Sequence, residues 1–514
     1  MLTKNLPALI LLLFCCGACV DLGTLNELQS PEYQAEFAVP LFNSEIGIGE
    51  ILAESPDLDA LRIDETGLLH FEYRGAVLRR EAAEIFDQIS AAFPPVIPIL
   101  SNDLALPFTI PNGISLDRLD LKAGTLSYYL ENPNEAPVDI VVRFPTFVRN
   151  GEPLEFMLSL PAYSGSGPRP SLSNQDNPID IAEYAIVPQN DSVYVNYTAT
   201  TDMGAEVSVA SFLIQMENLS FSYAEGFLGQ LLLDGGMDEI NIDFFDTYIG
   251  GDIYFAEPQV TFEVESAFGV PIQSMVNTFE VSTVDGSTLG VISPLVDNGV
   301  NFPFPSLSEV GQSKSESFLF DKHNSNLDKL LGEGPTKVNY DIDVLVNPDN
   351  DPNVTGFLTD SSYFSVQMAV DLPLFGTATG FSVNDTIALD LSGYEEVEYA
   401  EFKVITENEL GIDLLTQVYF IDEQNQVLDS LLDERTQIAT GAPVDENGLS
   451  TSSQSKTTLI DVNAQRFDKL KAATALVIEF NFSSESNSPR YVKLIDTQKI
   501  SIRMGAIIGV SSKE

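Results

Sequence analysis

Through most of the chain, apolar residues recur at every second position in short runs bounded by Gly, Pro, Asn and Asp. Leu69, Phe71 and Tyr73 share one phase, while Leu68, His70 and Glu72 share the other. Val193, Val195 and Tyr197 alternate with Tyr194, Asn196 and Thr198, and Val260, Phe262 and Val264 with Thr261, Glu263 and Glu265. Tyr340, Ile342, Val344 and Val346 alternate with Asp341, Asp343 and Leu345. This period of two predicts half-buried antiparallel strands, punctuated as turns by 34 Gly and 29 Pro. A helical period is rarer. Leu78, Ala82, Ile85, Phe86, Ile89 and Phe93 fall on one stripe that stops at Pro94-Pro95, which predicts a helix over residues 78–93. Shorter helices are predicted over residues 321–331 and 466–473. The fold class is therefore mainly β: tandem antiparallel β-sandwich or elongated barrel units with a few short helices.

Internal similarity sets the expected organisation. Residues 128–138, 262–272 and 404–412 each read as a strand, a polar corner and a second apolar strand, with Asn132, Ser266 and Asn408 at the same place after a glutamate. Residues 37–42 (FAVPLF) echo residues 370–375 (VDLPLF). These spacings fit duplicated domains and are too long for a solenoid. A Ser-, Gly- and Lys-rich cluster at 311–317 marks the expected boundary, dividing residues 32–310 (an N-terminal β domain of one or two lobes) from 311–514 (a C-terminal β domain).

The first residues follow a different logic. Lys4, an apolar run over residues 6–14, and the small pair Gly17-Ala18 before Cys19 form the layout of a secretory signal over 1–18. The run is too short to cross about 30 Å of hydrocarbon. Gly-Ala-Cys19 resembles the lipobox of bacterial lipoproteins, with Cys16 standing where Leu or Val is usual. That resemblance implies acylation of Cys19, a short tether over 19–31 and, with Val20 next, retention in an outer membrane. All three cysteines lie at positions 15, 16 and 19, so the body has no disulfide framework and no cysteine–zinc site.

Charge narrows the partners. With 76 Asp and Glu against 25 Lys and Arg, a formal charge of −51 repels nucleic-acid phosphate. The expected partners are a membrane, reached through acyl chains, and a hydrophobic ligand or an envelope protein; no nucleic acid and no cofactor is expected.

The strand followed by Asn132-Pro133-Asn134 and Pro137-Val138 resembles the corner of the late-embryogenesis and water-stress (WHy) β-sandwich family. Lipobox, an Ala-Val-Pro-Leu strand soon after it, and duplicated β units together resemble surface lipoproteins of Bacteroidetes-type bacteria. Two elongated β units with an amphipathic helix are also similar to tubular lipid-binding (BPI-like) proteins.

Candidate chemistry is sparse. His70, on the polar phase of a strand, and His323, at a helix start, are the two histidines, and both read as surface residues. No Gly-x-Ser-x-Gly elbow accompanies either. Asn347, Asp349 and Asp351 space oxygen ligands as the start of a calcium loop does, without the loop glycine and with Leu358 in place of the bidentate glutamate. A solvated Asn/Asp/Pro turn fits the same residues. Ser192, Thr386 and Ser430, each after an aspartate and before an aliphatic residue, resemble the O-glycosylation sequon of Bacteroidetes exported proteins. The leading expectation is a non-enzymatic, membrane-anchored lipoprotein with a binding or structural role at the cell envelope. A lipid or hydrophobic-ligand carrier would show a continuous apolar tunnel beside the 78–93 helix. A carboxylate-dependent hydrolase would show two desolvated carboxylates converging in a cleft.

Overall fold

A computed structural model describes residues 34–47, 60–108, 110, 113–242, 248–331, 334–388, 397–470 and 472–511. Cys19, the signal segment and the tether lie outside the described residues. The chain is mainly β, 58% strand and 7% helix. Every strand pairing between named strands of the described residues is antiparallel.

Side-chain alternation explains how the strands stack. Leu69, Phe71 and Tyr73 are buried, as are Val193, Val195 and Tyr197, Val260, Phe262 and Val264, and the run Tyr340, Ile342, Val344 and Val346. These residues belong to one large core built mainly from the eleven-, six- and five-stranded sheets, joined by Phe255 and Phe381 of the seven-stranded sheet. Phenylalanines meet edge-on inside it, as in the triangle of Phe262, Phe279 and Phe320, with centroids 5.4–5.5 Å apart.

A second core lies between the four- and seven-stranded sheets. Val404, Ile460, Ile500, Ile502 and Met504 come from one sheet, and Val418, Phe420, Leu476 and Ile478 from the other, the packing of a β-sandwich. The strand Gln34–Gly47 closes an edge of this unit by pairing along its length with Lys499–Ser511. The first described strand of the chain thus belongs to the C-terminal unit.

The polar cluster at 311–317 leads into the edge strand Lys314–Phe320 without dividing the sheets. Chain segments on its two sides pair repeatedly, among them Ile272–Thr283 with Pro335–Val346, Gln259–Ser266 and Leu69–Glu81 with Tyr363–Pro373, and Tyr248–Phe255 with Phe375–Ala388. The two cores change over nearer residue 375, between Tyr363–Pro373 in the first unit and Phe375–Ala388 in the second.

The expected helix at 78–93 is shorter. Leu78 ends inside the strand Leu69–Glu81, and the helix spans Ala83–Ala91. Its stripe of Ile85, Phe86 and Ile89 is buried, and the following Phe93 packs on Phe108 and Phe221 at 4.8 and 6.1 Å. The predicted helix at 321–331 is a turn followed by the four-residue helix Leu327–Leu330, and the third spans Ala464–Leu470.

Candidate functional site

A hairpin turn at residues 64–68 builds the most unusual polar cluster. Asp64 Oδ1 accepts hydrogen bonds from the Thr66 and Leu68 amides (2.8 and 2.9 Å) and from Thr66 Oγ1 (2.7 Å). Gly67, at φ +84°, supplies the left-handed residue that closes the loop. This folding leaves the other carboxylate oxygen facing the sheet, where Oδ2 stands 3.4 Å from His70 Nε2. On the opposite side of the ring, His70 Nδ1 is 2.7 Å from Asp371 Oδ1, contributed by the strand Tyr363–Pro373.

His70 is therefore not a surface residue, as its polar phase led us to expect. It is 8% exposed, because the turn and the segment around Leu494 and Ile495 cover what would otherwise be the outer face of the strand. Arg62 lies on the rim and pairs with Glu72 (2.8 Å) and Asp371 (3.4 Å). Burial alone would lower the imidazole pKa, but the hydrogen bond and charge of Asp371, aided by Asp64, raise it above 6.5. Burial likewise works against the Asp64 carboxylate, yet the donors of Thr66 and Leu68 and the contact with His70 bring it down to about 2. With both nitrogens facing carboxylates, the ring is suited to carrying a fixed charge and poorly placed to take a substrate proton. His323 is exposed, with its amide bonded to Asp321.

The same turn recurs at 445–449. Asp445 Oδ1 accepts from the Asn447 and Leu449 amides, and Gly448 again has φ +84°. The two glycine carbonyls grip one stretch of chain: Gly448 O accepts from the Lys493 amide (2.8 Å) and Gly67 O from the Asp496 amide (2.9 Å). The repeated Asp-Glu-x-Gly-Leu at 64–68 and 445–449 was a readable sign of these turns; the approach of Asp371 to His70 left no local sign.

A second cluster gathers Asp234, Asp341 and Asp343, whose carboxylate oxygens lie within 4.8 Å of one another. Asp341 and Asp343 project from one face of Pro335–Val346, and Asp234 comes from the turn crossing that strand. Hard oxygen ligands of this kind hold calcium or magnesium. Both Asp343 oxygens, however, already accept protein donors, from the Gly235 amide (3.0 Å) and Asn277 Nδ2 (2.8 Å). Sequence patterning placed Asp341 and Asp343 on one face but could not bring in Asp234.

The calcium-loop residues form a turn. Asp349 is exposed, Asp351 Oδ1 accepts from the Asn353 amide and Nδ2 (2.9 and 2.8 Å), and Asn347 and Asn350 take left-handed φ of 49°. Of the sequon residues, Thr386 is exposed, Ser192 opens its strand half-buried, and half-buried Ser430 donates to the Leu432 carbonyl (2.9 Å).

Among the described residues, two of the apolar recesses in the packing are small. One, of about 30 Å³, lies among Phe262, Phe279, Phe302 and Phe320; the other, of about 60 Å³, lies beside Tyr254, Phe375 and Val492. Neither is lined by the helix Ala83–Ala91, and such volumes suit one or a few waters, not an acyl chain.

The chain matches no family model and no curated protein. Among solved structures it is similar to a protein from Parabacteroides distasonis classed as secreted, at 10% identity and a TM-score of 0.30, covering 93% of this chain and 100% of that one. The VP2 subviral particle of infectious bursal disease virus follows at 10% identity and a TM-score of 0.15, covering 79% and 75%. Neither likeness amounts to a shared topology.

Proposed function

We propose that this chain is an exported lipoprotein, anchored to an outer membrane through Cys19, whose two β units serve a binding or structural role at the cell envelope without catalysis. The observation that carries the reading is the confinement of all three cysteines to positions 15–19, with Gly17-Ala18 and an apolar run before Cys19. A cysteine kept there and nowhere else has a use as an attachment point. Two or three acyl chains, at about 0.8 kcal/mol per buried methylene, hold a protein at a bilayer even against an acidic surface. A strand that begins shortly after that cysteine, Gln34–Gly47, is paired along its length with the C-terminal strand, so an anchor would pull on folded structure.

The small recesses weigh against a lipid carrier, and the locked geometry of His70 and Asp343 weighs against a hydrolase. Cys19→Ser in the native host tests the reading. The wild type should incorporate labelled palmitate and sediment with membranes, and the variant should do neither. Equal labelling of the variant would overturn the proposal.

A further inference from the structure

The turn that cradles His70 also holds the C-terminal unit. Besides the Gly67–Asp496 hydrogen bond, the Leu69 amide donates to the Leu494 carbonyl (3.1 Å), Leu494 donates to Leu374 (2.9 Å), and Leu68 bridges Ile495. The chain at 494–496 leads directly into Lys499–Ser511, a central strand of the second unit. The imidazole thus lies under a turn of the first unit that clasps this segment of the second.

We propose that His70 is a protonation-dependent clasp: its imidazolium, held between the carboxylates of Asp64 and Asp371, locks the 64–68 turn and, through Gly67, the 494–496 segment to the first β unit. The charged groups around it come from every side. Asp64 and Glu65 lie on the turn, Arg62 on the neighbouring strand, Glu72 on its own strand, Asp371 on the strand across, and Asp496 on the clasped segment against Gly67. Arg62 is the opposing cation, and it is itself paired with Glu72 and Asp371. Loss of the proton leaves the two carboxylates facing a neutral ring, and an Nε2 buried without a well-aligned partner becomes an unpaired acceptor. The favourable contribution is complete below the free-histidine value of 6.5 and disappears as pH rises through the elevated folded value.

Hydrogen exchange of the full chain, corrected for the intrinsic pH dependence, reads the clasp directly. Between about pH 6 and pH 9, protection of residues 61–71 and 494–498 should fall several-fold, while the Ile500–Met504 core stays unchanged. In His70→Gln that pH dependence should vanish. Because His70→Gln could fail to fold, Asp371→Asn provides a second arm, in which the loss of protection should move to lower pH. Imidazole NMR of His323→Gln, which leaves His70 as the sole histidine, should give a titration midpoint above 6.5. A midpoint at or below 6.5, or protection independent of pH in the wild type, overturns the proposal.

Discussion

Asn132 and Asn408 make the same corner in two different β units. Asn132 Nδ2 donates to the Ala136 and Pro161 carbonyls, and Asn408 Nδ2 to those of Ile412 and Thr440, all at 2.9 Å. Each Oδ1 accepts from the amide two residues on, Asn134 or Leu410, also at 2.9 Å. Ser266 holds the third corner with its Oγ and the Phe268 amide, at 3.3 Å. All three side chains are buried. A chain that turns sharply between strands leaves carbonyls outside the sheet ladder, and one buried amide side chain ties two of them together.

Asn132→Ala and Asn408→Ala should each remove the hydrogen bonds that a buried amide makes across its corner and cost roughly 2–4 kcal/mol. Ser266→Ala, which loses only two long bonds, both to the Phe268 backbone (3.3 and 3.4 Å), should cost about 1 kcal/mol. Chemical denaturation of the three variants checks the ranking; a Ser266→Ala loss equal to the others would contradict it.

Gly269 has no room for a side chain. A Cβ there would fall 2.1 Å from two ring carbons of Phe357, across the bridge that joins the 266–271 corner to the strand Gly356–Thr359. Gly269→Ala should destabilise by about 1–3 kcal/mol through overpacking. Pairing it with Phe357→Leu should recover part of the loss, which thermal unfolding would register.

The helix Ala83–Ala91 gains its stability from the face it buries. Ile89 is fully buried, so Ile89→Ala should cost about 2–5 kcal/mol. Substitution of the exposed Glu84 by Gln should change stability by no more than about 0.5 kcal/mol.

Asp64 gives the acid side of the pH profile. Its folded pKa, about 2, lies below the usual 3.8, so its stabilising contribution is present above 3.8 and is lost as pH falls toward 2. Between those values the melting temperature of the wild type should drop more steeply than that of Asp64→Asn. Parallel slopes would remove Asp64 from this role.

Much of the fold was legible because period two is a local signal. Val260, Phe262 and Val264, or Tyr340 through Val346, declare their buried face from the chain alone. The three corners were legible for the same reason, since each is a short contiguous stretch. Leu78 misled because it lies buried at the end of a strand, and its position four residues before Ala82 mimics a helical stripe. His70 misled because alternation gives the phase of a residue and not what later folds over it; the covering turn and the 494–496 segment come from elsewhere. The pairing across the 311–317 cluster was not legible, since local composition carries no record of Tyr363–Pro373 inserting between Leu69–Glu81 and Gln259–Ser266. The Asp234–Asp343 approach was hidden likewise.

Mass spectrometry of the N-terminal peptide from protein purified in its native host tests membrane anchorage most directly. The expected peptide begins at Cys19 and carries the added mass of a thioether-linked diacylglycerol. A peptide that begins elsewhere, or one that holds Cys19 as a free thiol, would contradict the anchor and leave an exported β protein without one.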